Sequence, residues 1–121
     1  MTVLFFLYLV NTTLLILHEM DSAYWKEWEL FHLPGEIGGF LLLHFPIFIL
    51  GLSGLVLVWE GKTAGLIFSL VISVAGIFAF CIHTYFLLKG HKAFNTVISK
   101  LILDALLGIS IFQFMITISL L

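Results

Sequence analysis

The side chains able to do chemistry in this chain gather in one stretch, His18-Glu19-Met20-Asp21-Ser22-Ala23-Tyr24-Trp25-Lys26-Glu27-Trp28-Glu29. It carries four of the seven acidic residues and two of the three tryptophans, and its flanks are almost wholly apolar. Imidazole and carboxylate are the ligands of zinc and non-haem iron. His18 and Asp21, three residues apart, share a helix face. They approximate the Glu-x-x-His pairs of carboxylate-bridged metal bundles, in reverse order. Two more imidazoles, His44 and His83, lie far along the chain inside apolar runs. Ionisable groups in such runs are costly and mark functional sites.

The elements that must position these groups are membrane spans. Of 121 residues, 62% are hydrophobic and only 10% charged, against about 25% charged in a soluble domain. Mean hydropathy is +1.22. No soluble core of this size can absorb that much apolar surface, so lipid must be the solvent. There is no arginine, and the formal charge of -2 gives no reason to expect nucleic acid. The single cysteine, Cys81, excludes an intrachain disulfide. The N-terminal apolar run lacks a basic lead and an A-x-A site, so it reads as a retained helix rather than a cleaved signal.

Four apolar runs separated by charged turns predict an all-α fold, a single four-helix transmembrane bundle. The spans are expected at about 1–18, 36–59, 63–88 and 101–121, with an interfacial helical segment between the first two. In that segment His18, Asp21, Trp25, Trp28 and His32 follow 3/4 spacing and predict one helix face. Tyr24, Trp25 and Trp28 suit the membrane interface. Lys26, Glu27 and Glu29 read as a solvated face. Pro34-Gly35 ends the segment. Pro46 predicts a kink in the second span. Ser69, Ser73 and Gly76, Gly38-Gly39 and Gly51-x-x-Gly54 read as helix-packing positions. Residues 93–100 read as an interfacial lead-in to the last span.

Lysine bias orients the bundle. Lys26, Lys89, Lys92 and Lys100 lie on one face, and Lys62 and the N-terminal amine on the other. The reading is a bacterial inner membrane protein with both termini outside. Each span then places an ionisable group in the cytoplasmic half. His18 ends the first span there. By helical rise His44 lies ~12 Å deep, His83 ~9 Å and Asp104 ~6 Å. Asn11 and Gln113 are the notable polar residues of the opposite half.

This convergence predicts one pocket in which His18, Asp21, His44 and His83 hold a divalent metal, zinc or iron. Glu19 and Asp104 are the acid/base or supporting groups, and Glu36 is a further candidate. Ordinary roles exist for each. Asp104 can pair with Lys100 on its own helix, Glu36 suits a helix N-terminus, and His44 can bond a carbonyl freed by Pro46. Three functions therefore stand side by side. One is a metal-binding or catalytic membrane protein acting on a hydrophobic small molecule that enters from lipid. Another is a haem b carrier using His44 and His83 as axial ligands. The last is a non-enzymatic accessory or transport subunit whose cluster is structural or relays protons. Beyond the bilayer, a second copy of the chain is a candidate partner.

The run LHEMDSAYWKEWELFHLPGEIGGFLLLH, residues 17–44, resembles a family of small uncharacterised bacterial membrane proteins. Their mark is a first-span His and Asp, a Trp-x-Glu-Trp segment, a Gly-containing turn and a second-span His. The matching positions are His18, Asp21, Trp25, Glu27, Trp28, Gly35 and His44. The chain is also loosely similar to small membrane proteins named for an HxxEE motif, but reads HEMDS where their Glu pair stands. The likeness covers the first half by motif and the rest by hydropathy. It implies a four-span fold and a motif that works as a unit, and it implies no activity.

Overall fold

A computed structural model describes all 121 residues. Four helices are long and apolar enough to cross a membrane: α1 (Thr2–Tyr24), α3 (Glu36–Trp59), α4 (Thr63–Leu88) and α5 (Val97–Leu120). A single turn of helix, α2 (Glu27–Leu30), lies between the first two. The long helices form an antiparallel bundle in which α1 packs on α3 and α5, and α4 on α3 and α5, with α1 also touching α4 across the diagonal. There is no strand.

The bundle is polar inside and apolar outside. Ten buried residues are hydrophobic and eleven are polar or charged, whereas Leu42, Phe45 and Leu88 point outward. That inversion suits hydrocarbon solvent, where polar groups must find partners within the protein. In the half remote from α2, Asn11 donates to Ser110 Oγ (3.0 Å) and Gln113 Oε1 (2.8 Å). Gln113 donates to Ser69 Oγ (2.9 Å) and the Ser69 carbonyl (3.1 Å). Ser69 and Thr117 hydroxyls lie 2.8 Å apart. This ladder ties α1, α4 and α5 together. The Tyr8 hydroxyl donates to the Gly51 carbonyl (2.7 Å) and adds α3. Small residues permit these approaches. A Cβ on Gly65 would stand 2.7–2.9 Å from the backbone of Leu57 and Val58.

The boundaries differ from the sequence expectation at both ends of the α2 side. The first helix runs beyond the expected span to Tyr24, ending inside the polar stretch. It then breaks, because Lys26 turns into the left-handed region (φ 53°). The expected stripe from His18 to His32 is therefore divided between two helices and does not form one face. His32 (φ 54°) and Gly35 (φ 92°) turn the chain again into α3. A Cβ on Gly39 would run into the Pro34 carbonyl, which presses the turn onto α3. The last helix starts at Val97, where the Thr96 hydroxyl accepts from the Ser99 amide (3.1 Å). Residues 93–96 are a turn in which Phe94 (φ 63°) folds inward and is 1% exposed. The third helix continues unbroken through Pro46.

Candidate metal centre

Three elements bring their polar side chains to one point at the α2 end of the bundle. His18 comes from the last turns of α1 and His83 from the last turns of α4, each 1% exposed. Glu27 comes from the first residue of α2. One ligand atom from each of His18, Glu27 and His83 lies within 4.8 Å of the other two, a spacing that could hold a metal ion. Glu27 Oε1 stands 3.5 Å from His83 Nε2. The imidazoles of His18 and His83 meet edge-on with centroids 4.7 Å apart. Phe94 covers both, at 4.1 Å from His83 and 5.5 Å from His18. This lid of hydrocarbon keeps the histidines dry.

Glu27 reaches this point because α1 ends early. The left-handed turn at Lys26 swings the chain back over the bundle, and Trp28 anchors it by packing against Phe40 of α3 (5.7 Å). Burial alone raises the Glu27 carboxyl. The adjoining His83 and Ser22 side chains, with the charges of His83 and His18, outweigh burial and hold it below the usual carboxylate range. The group is thus an anion at neutral pH.

Several buried atoms here have no partner in the protein: Nδ1 of His18, Nδ1 of His83 and Oε2 of Glu27. An unpaired buried polar atom costs about 1–3 kcal/mol. Two imidazoles and a carboxylate left in this state are a donor set suited to zinc or iron.

A second pair lies alongside. His44 Nδ1 bonds the Phe40 carbonyl at 2.7 Å, so that nitrogen carries the proton. His44 Nε2 then stands 2.7 Å from Glu19 Oε2. This close contact ties α3 to α1 through the His44 imidazole. The carbonyl it bonds is that of Phe40, four residues back, and not the Leu42 carbonyl freed by Pro46.

The six residues singled out in the sequence thus divide. His18 and His83 meet. His44 pairs with Glu19 beside them. Asp21 is half-buried with one oxygen unpartnered, but it is not one of the three converging ligands. Asp104 is exposed on α5, in a separate surface groove with His91, Lys92 and Lys100. Glu27, which the sequence presents as part of a solvated face, instead turns inward to join His18 and His83. Its place inside the Trp-x-Glu-Trp segment is the signal that marks it. Phe94 had no signal in its neighbourhood.

A cavity of about 260 Å³ opens from the cluster into the bundle. His18, Glu19, Glu27 and His83 form its polar end; Leu15, Ile16, Phe48, Ile72 and Ala75 are among its apolar walls. The arrangement brings three side chains that could hold a metal ion, the Glu19–His44 pair and an apolar chamber together. No curated protein and no solved structure matches the chain. A family model does, over residues 4–120, and the chain belongs to that family, a family of unknown function (DUF6713).

Proposed function

We propose that this is an integral protein of the bacterial inner membrane that binds a divalent metal, zinc or iron, through His18, Glu27 and His83. The site lies in the cytoplasmic half, with both termini outside, and it acts on a hydrophobic small molecule. The convergence of three buried ligand atoms within 4.8 Å carries this reading. A bound metal would polarise an oxygen of the substrate or lower the pKa of a bound water. The Glu19–His44 pair is placed to give or take the accompanying proton.

Metal analysis of purified protein tests the proposal. Near-stoichiometric zinc or iron is expected in the wild type and in His91→Ala. Loss of most of the metal is expected in His18→Ala, His83→Ala and Glu27→Ala. His44→Ala should retain metal, because His44 faces Glu19. Equal content in all variants would refute the site.

One observation favours a second reading. Both His44 and His83 already face carboxylates, at 2.7 and 3.5 Å. A cluster whose imidazoles already stand beside carboxylates suits a non-enzymatic accessory or transport subunit, as structure or as a proton relay. Metal-free protein with unchanged stability in chelator is its signature.

A further inference from the structure

We infer that the cavity is the seat of a single lipid hydrocarbon chain, drawn sideways out of the membrane, with its oxygen-bearing end against the His18, Glu27 and His83 cluster. The inference rests on the metal reading at its polar end only.

The cavity is walled by α1, α3 and α4. Its most exposed lining residues are Ile47 on α3 (47%) and Phe78 on α4 (61%). The mouth therefore lies between α3 and α4 and faces whatever surrounds the bundle. Those two helices hold each other closely near their connecting turn, where Gly65 lies on Leu57 and Val58 and Gly54 on Phe68. The opening lies nearer α2. Its rim is apolar, so a water-soluble ligand has no path through it, whereas a lipid chain does.

Length points the same way. From His83 to Ile72 the wall runs about 16 Å by helical rise, close to the roughly 15 Å of hydrocarbon in one leaflet, half of a ~30 Å core. With His83 ~9 Å in from the α2 face, the blind end at Ile72 lies about 25 Å in, past mid-bilayer, and the mouth at Ile47 and Phe78 lies near the middle of both helices.

The test uses the full-length protein in phosphatidylcholine vesicles with a fatty alcohol bearing a mid-chain diazirine. After irradiation, labelled residues are mapped by mass spectrometry. Labelling of Ile16, Ile72 or Ala75, competed at least fivefold by excess unlabelled fatty alcohol, is expected. Label confined to outward residues such as Val71 and Val74, or label that does not compete, overturns the inference. Ala75→Phe should abolish cavity labelling while retaining metal, which also shows that it folds. If no variant or wild type holds metal, competed wall labelling still supports the lipid seat, and the metal reading alone fails.

Discussion

Glu27 is an anion held between two buried imidazoles on a segment with little else to fix it. Its pH behaviour follows from the sign of its shift. A carboxyl depressed on folding stabilises above its ordinary range, and that contribution is lost as pH falls through the lower folded value. The α2 segment should therefore stay docked through mild acid and release only below the usual carboxylate range. Emission from Trp25 and Trp28, recorded from neutral pH downward, reports this. Glu27→Gln should remove the acid transition and cost roughly 1–3 kcal/mol, the scale of a hydrogen bond to a charged group. A transition at unchanged pH in Glu27→Gln would assign it elsewhere. Asp104→Asn, on the outer face of α5, should change neither the transition nor metal content. The sequence carried the histidines because an imidazole in an apolar run is conspicuous. It hid Glu27 because a carboxylate among Lys26, Trp28 and Glu29 looks like any wet surface. The decisive event is a left-handed turn at a lysine, a residue that does not announce one.

At the scale of the helix, depth was legible and rotation was not. Charged turns fix where each helix begins, and a rise of ~1.5 Å per residue then fixes the level of every side chain. That arithmetic put His18, His44 and His83 in one layer. Which way each points depends on how the helices mesh, and mutual contact sets this through small residues. Gly65 is one such contact, lying directly on the backbone of Leu57 and Val58. Gly65→Ala should force α3 and α4 apart at a cost of about 1–3 kcal/mol, the usual penalty of overpacking. Gly108→Ala, where an added Cβ meets nothing within 4 Å, should be neutral or stabilise by up to about 1 kcal/mol through helix propensity. Unfolding in mixed micelles separates the two. Equal effects would show that the contact does not set the spacing. The inner ladder of Asn11, Ser69, Gln113 and Thr117 was visible only as isolated polar letters, since its members come from three helices.

For the whole molecule the number of crossings decides the topology. Two span-length helices join Gly61 to Leu121, and two join Met1 to Gly61. Reporter fusions at Met1, Gly61 and Leu121 should therefore all report one side of the membrane, and a fusion at Gly90 the other. A split between Gly61 and Leu121 would eliminate the four-span arrangement. Hydropathy made the fold legible at once, because four long apolar runs in a chain this short leave few alternatives. The two halves of the bundle, however, are built differently. Away from α2, a hydrogen-bonded ladder and glycine contacts bind all four helices. Near α2, an apolar chamber lies between α3 and α4, and the Glu19–His44 pair and the Trp28–Phe40 packing help to hold α3 inward. The bundle thus has the mechanics of a clothes-peg: a stiff spring at one end and two jaws at the other. The Glu19–His44 contact ties the α3 jaw back to α1, so that one pair of side chains bears on how firmly the open end closes.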